Sequence, residues 1–146
     1  MIDTLQCIAI FCTTSFAAIA FYISVGEHPA RMECGPELAS FVFGPSYRRA
    51  AAIQAPLAII ATLAGVGLWY LDREIMWLVA AVLIFSVVPI TFIAIMPTNR
   101  RLLDPDLDRT SPATYELLRN WARLHGVRTL LSLAATAVSM YEVFYS

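Results

Sequence analysis

The chain has no lysine, two histidines, three cysteines and little formal charge. Charged residues make up 14% of it, against about 25% in an ordinary soluble domain, so a soluble globular fold is excluded first. The net charge of −1 offers no basic surface to a nucleic acid and no strong field for an acidic partner. Cys7, Cys12 and Cys34 are odd in number, and two lie in one apolar run. They give neither a disulfide framework nor a CxxC zinc spacing, and Cys7 and Cys12 read as small apolar packing residues. There is no HExxH, no Glu-x-x-His pair, no repeat and no low-complexity segment.

What the chain has in excess is apolar length. Hydrophobic residues are 59% of 146 and the mean hydropathy is +0.67. A bilayer core of about 30 Å needs about 20 apolar helical residues, and three uncharged runs satisfy this: Thr4–Gly26, Ala50–Leu71 and Ile75–Asn99. The first lacks the basic n-region of a signal peptide and exceeds the length of an h-region, so it reads as a retained span. The last uncharged run, between Arg128 and Glu142, is too short to cross alone. Its helical pattern extends backward through "NWARLHGVR", bringing Arg123, His125 and Arg128 to the membrane boundary or inside it. The expectation is an all-α, single-domain integral membrane bundle of four helices, spanning about 4–26, 50–71, 75–97 and 118–145.

The connections divide unequally. "LDRE" (71–74) is one tight turn, whereas 27–49 and 97–119 are long and lie on the opposite side. Those long segments hold Arg31, Arg48, Arg49, Arg100, Arg101, Arg109 and Arg119 against Arg73 alone, which places the long loops in the cytoplasm and both termini across the membrane. Within the first long loop, Gly35-Pro36 and Gly44-Pro45 bracket a short interfacial helix expected from Glu37 to Phe43. Asp104, Asp106 and Asp108 have EF-hand-like spacing but lack the glycine and distal glutamate of a calcium loop, so a solvated loop is the reading.

Chemistry concentrates on the fourth segment. At 100° per residue Trp121, His125 and Arg128 fall within about 60° of one another, and the stripe continues through Ser132, Thr136 and Ser139, with Arg123 on the opposite face. Lipid penalises such a stripe, so it should face the bundle interior; the alternative is that His125 and Arg128 anchor at lipid headgroups. Because the spans alternate direction, Glu27 and His28, Gln54, and Asn99 arrive at the same level and would build a polar pocket between helices. Each has a plainer reading. Asn99 can serve as a helix C-cap, Gln54 as a partner for backbone freed near Pro56, His28 as an N-cap, and Arg100 and Arg101 as topology anchors. Pro89 reads as a kink. His28, Glu27 and His125 have ligand types acceptable to iron, copper or zinc, though they come from distant segments.

"IMPTNRRL" (95–102) followed by "LLRNWARLHGVRTLLSLAA" (117–135) resembles the anthrone oxygenase-like family of small four-helix membrane proteins. The matching positions are Pro97, Asn99, Trp121, His125 and Arg128, and "HPA" (28–30) and "QAPLA" (54–58) are similar to the fungal and related members. Many relatives have two adjacent histidines where this chain has Leu124 before His125. The resemblance implies oxidation of an anthrone-type, polyketide-like phenol to its quinone by O2 as co-substrate, with no bound cofactor. It also implies an endoplasmic reticulum or bacterial inner membrane. On that reading His125 is the general base, a residue type whose ordinary pKa of about 6.5 suits neutral pH. Arg128 and Asn99 stabilise the oxyanion, Trp121 stacks on the polycycle, and Glu27, His28 and Gln54 orient the base or bind substrate hydroxyls. The competing readings are a non-catalytic bundle that binds a quinone or lipid, or acts as an accessory subunit, and a metal-dependent oxidoreductase. The partners are the lipid bilayer and a small aromatic molecule, and a homo-oligomer is compatible with the composition. A transporter is disfavoured, since the spans offer no charged residue in the bilayer core as an ion path.

Overall fold

The structure, a computed structural model, describes residues 1–145. Four helices, all long and apolar enough to cross a membrane, run Ile2–Glu33, Gly35–Asp72, Ile75–Leu102 and Pro112–Tyr145, and no strand occurs among the described residues. The first packs on the second and fourth, and the third packs on the second and fourth, so the four enclose one interior in up-down-up-down order. Large apolar side chains that point outward, among them Phe11, Leu63, Val82, Phe85, Ile93 and Leu130, form the surface a lipid phase accommodates.

All four helices overshoot their uncharged runs. At 1.5 Å per residue, the 38-residue second helix is about 57 Å long, nearly twice a bilayer core. The expected long loop 27–49 is therefore almost absent. Helix resumes at Gly35 after a turn at Cys34 that needs the positive φ of 86° at Gly35. Glu37 to Phe43 is helical as expected, but it is the first part of the second helix and not a separate interfacial piece. The Gly44-Pro45 breaker fails because burial outweighs it: Ala39, Ser40, Phe43 and Gly44 are all buried, and Phe43 sits in a cluster with Leu102, Leu118 and Trp121. Tertiary packing of this kind overrides local propensity.

The second long loop shrinks to residues 103–111. Asp104 and Asp108 spend their carboxylates locally, accepting from the Asp106 and Thr110 amides at 3.0 and 3.1 Å, so the EF-hand-like spacing serves two tight turns. Ser111 then caps the fourth helix, its Oγ accepting from the Thr114 amide at 3.2 Å, with Pro112 in the first turn.

The interior is layered. One end holds Ala9, Ala64, Leu68 and Trp77, the middle holds Phe16, Ala20, Ala58, Ile84, Val87 and Ala135, and the other end holds Ile23, Phe43, Ile95, Leu118 and Trp121. Alanines and Gly65 at the contacts let backbones approach, as membrane helix pairs require. The polar stripe of the fourth helix does face inward: Trp121, His125, Ser132, Thr136 and Ser139 are buried while Arg123 is exposed.

Candidate active site

Two helices reach the polar end through the same backbone device. Ile23–Glu27 and Thr91–Ile95 are π-helical, closed by His28 N–H to Ile23 C=O and Met96 N–H to Thr91 C=O. A proline stands two residues after each, Pro29 and Pro97. Proline has no N–H and its ring crowds the carbonyl four residues back; a wider turn relieves this and shifts the helical phase of the residues beyond it. Ser24, His28, Thr98 and Asn99 arrive inside the bundle, and His28 and Asn99 are 4% and 0% exposed.

An aromatic group holds these ends together. Trp121 stacks on His125 at 4.7 Å between ring centres, lies 5.0 Å from His28, and meets Phe43 edge-on at 5.2 Å. Asn99 orients it, its Oδ1 accepting from Trp121 Nε1 at 2.8 Å. Asn99 lies three residues inside the helix end at Leu102, so it is not a C-cap. Its Nδ2 and both ring nitrogens of His28 are buried without a hydrogen-bond partner, and such groups cost about 1–3 kcal/mol each.

His125 is 2% exposed. Its Nδ1 lies 3.0 Å from Ser24 Oγ, which lies 2.8 Å from Thr129 Oγ1. Arg128, one turn on, stacks over Phe16 at 5.5 Å and donates to Gln54 Oε1 at 3.4 Å. Gln54 Nε2 reaches the Phe16 carbonyl of the first helix at 3.5 Å, and so does not serve backbone freed by Pro56. Arg31, 8% exposed, pairs with Glu27 at 3.2 Å and lies within 6 Å of both the Phe43 and Trp121 rings. Glu27 also accepts from Ser46 Oγ, tying the first helix to the second. Arg31 Nε and Nη1 and Arg128 Nε are unpartnered. Two guanidiniums and one carboxylate thus surround the site, a balance that favours an added negative charge.

The space is in two parts. A polar cavity of about 20 Å³ is bounded by Arg31, Tyr47, Gln54, Trp121, His125 and Arg128, room for a molecule the size of water. Beside it an apolar cleft of about 280 Å³ runs between the second and third helices, past Ala55, Ala58, Val87 and Phe92. That volume is close to the lower end of small-molecule sites, roughly 300 Å³. Tyr47, Ala51, Gln54 and Arg128 belong to both. The cleft's rim carries Ile59 and Phe92, 56% and 66% exposed on the lipid-facing side.

Of the residues expected at the site, His125, Arg128, Gln54 and Trp121 line the polar cavity. Asn99 and His28 stand behind Trp121, and Glu27 is taken up by Arg31 and Ser46. The hydroxyls below His125 do not extend the site: Ser132, Thr136 and Ser139 each donate to their own helix backbone at 2.9–3.0 Å. The Glu27, His28 and His125 ligand set does not assemble, since among the described residues no three His, Cys, Asp or Glu side chains converge. Sequence reasoning missed Ser24, Arg31, Ser46, Tyr47 and Thr129. Thr129 was legible as the position four after His125; Arg31 was read only as a topological charge.

A protein-family model described as Anthrone oxygenase matches residues 43–138. That segment includes Gln54, Asn99, Trp121, His125 and Arg128 and excludes Ser24, Glu27, His28 and Arg31. Among curated proteins and among solved structures, none matches the chain.

Proposed function

This chain belongs to the anthrone oxygenase family, and from that premise we propose that it oxidises an anthrone-type polycyclic phenol to the quinone with O2 inside the membrane. The observation that carries the reading is the junction of an apolar, lipid-facing cleft with a small polar cavity where His125 and Arg128 stand one turn apart. The ring system lies in the cleft with its leading edge at Gln54 and Arg128, the pair the cleft shares with the His125 cavity, and this pair must part for the ring to reach His125.

The substrate itself can supply the electrons. His125 removes a proton from the ring CH2, which is acidic because it lies between two aryl rings and across from a ketone. Negative charge gathers on the ketone oxygen, where Arg128 and Arg31 offer unpartnered N–H groups. The electron-rich anthrolate passes one electron to O2, and recombination forms the C–O bond of a hydroperoxide, protonated by the imidazolium. Removal of the second C–H proton expels hydroxide, which leaves as water with that proton. Overall CH2 + O2 gives C=O + H2O, so no external reductant enters.

The burial of Asn99 behind Trp121 supports a positioning role for Asn99, and Trp121 is better read as the platform of His125 than as the stacking surface for substrate. The basic residues of the long-helix end, against Arg73 at the other, favour a cytoplasmic site end. The test is purified protein with an anthrone under 18O2. One 18O atom in the quinone, with loss of turnover in Arg128→Ala, supports the reading. A wild-type rate equal to the protein-free rate leaves the quinone- or lipid-binding module in its place.

A further inference from the structure

The polar group closest to His125 comes from outside the segment that defines the family. Ser24 lies in the π-helical turn of the first helix, and its hydroxyl meets His125 and Thr129 of the fourth. The contacts of Thr129 bear on the direction of each proton. Thr129 Oγ1 lies 3.2 Å from the Ala20 carbonyl and 3.2 Å from the His125 carbonyl. Carbonyl oxygens only accept, and a threonine hydroxyl has one proton to give. Were that proton spent on Ser24, which would then donate to Nδ1, the network would hold two hydrogen bonds where the opposite order holds three, because the donation from Thr129 to backbone would be lost. Thr129 therefore donates to backbone. The 2.8 Å contact between Thr129 and Ser24 must then be a donation from Ser24. Having given its proton, Ser24 can only accept from the imidazole at 3.0 Å.

We propose that Ser24 and Thr129 form a proton-ordering pair that holds His125 as the Nδ1–H tautomer, leaving the Nε2 lone pair as the basic site on the cavity. Ser24 is a positioning residue, and its catalytic consequence rests on the reading of His125 as the base. The arrangement suits that task in a further way. The Nδ1–H donation to Ser24 exists in the neutral imidazole and persists in the imidazolium, so proton uptake at Nε2 requires no rearrangement of neighbours. Trp121, stacked at 4.7 Å, restrains the ring plane while Ser24 restrains its rotation.

The presence of only two histidines makes the test direct. Protein carrying 15N-histidine in lipid nanodiscs gives two sets of imidazole nitrogens, and His125→Gln removes one and assigns it. The expected result near pH 7.5 is a protonated Nδ1 and an unprotonated Nε2 for His125. Ser24→Ala should convert that single tautomer to a mixture and lower kcat about 10- to 100-fold, the scale on which metal-bound histidines lose function with their orienting partner, with KM little changed. Ser24→Thr, which restores the hydroxyl, should recover both. A wild-type Nε2–H tautomer overturns the proposal, whatever the variants do, and so does an unchanged tautomer in Ser24→Ala. The Nδ1–H form with full turnover in His125→Gln would instead uphold the proton order and remove the base from the mechanism.

Discussion

The two ends of the bundle solve the same packing problem in opposite ways. At the end bearing the chain termini, small residues bring backbones together: a Cβ on Gly65 would meet the Ala81 Cβ at 3.0 Å and the Trp77 carbonyl at 3.1 Å. At the other end two π-helical turns widen the helices and turn polar groups inward, leaving a cavity and unpartnered atoms on His28, Arg31, Asn99 and Arg128. Interiors at native density gain dispersion energy with each contact, whereas unpartnered buried polar groups cost their desolvation without a compensating hydrogen bond. The unpartnered polar atoms gather at the open end, and the termini-bearing end holds Glu142 Oε1 as its exception.

If this division is right, damage at the two ends should separate cleanly. The largest effect belongs to His125→Gln, which keeps ring-sized volume without a base: anthrone turnover should fall about 10²- to 10⁴-fold while thermal unfolding moves little. Retention of more than a third of wild-type turnover in folded protein breaks the assignment. Next is Ala55→Trp. Ala55 lines the cleft and is exposed, so an indole there fills the ring site without entering the core. The expected outcome is a fall in kcat/KM of about 10-fold, from 1–2 kcal/mol of lost substrate contact, again with an unchanged melting temperature.

The opposite pattern is expected at the tight end. Gly65→Val places two methyl groups where a single Cβ is already too close, and overpacking of this kind costs about 1–3 kcal/mol. The melting temperature should drop while turnover per folded molecule stays within about twofold, a change of under 0.5 kcal/mol. A parallel loss of kcat would show that the ends are mechanically coupled.

Legibility in the sequence divides along the same line. Three membrane helices are written in uncharged runs, the fourth in a shorter run that the helical pattern extends backward, and its inward stripe in the 100° spacing of Trp121, His125 and Arg128, because all of these depend on local pattern alone. The continuity of the second helix through Pro45 was not legible, since it depends on Phe43 finding Leu102, Leu118 and Trp121 from elsewhere in the chain. The π-helical turns escaped for a related reason. Pro29 and Pro97 look like terminators, yet here each follows a wide turn inside a continuing helix. That one-residue change of phase carries His28 and Asn99 inward and decides which polar residues touch. The stripe's hydroxyls were over-read: spacing shows which face they share, but not that their protons go to their own backbone.

The smallest effect lies outside the membrane, at the loop that closes the polar end. Asp108 accepts from both the hydroxyl and the amide of Thr110, and these donors hold its carboxyl below the usual carboxylate range. A depressed folded-state value means the loop's contribution is present in full above the ordinary value of about 3.9 and is lost as pH falls through the lower folded one. Melting curves of wild type and Asp108→Ala should therefore differ by a small, constant amount from pH 7 to about 4 and converge at lower pH. A gap that instead changes near neutral pH would mean the loop is coupled to groups inside the bundle. The polar end would then be one cooperative unit, and not a solvated loop set over a buried site.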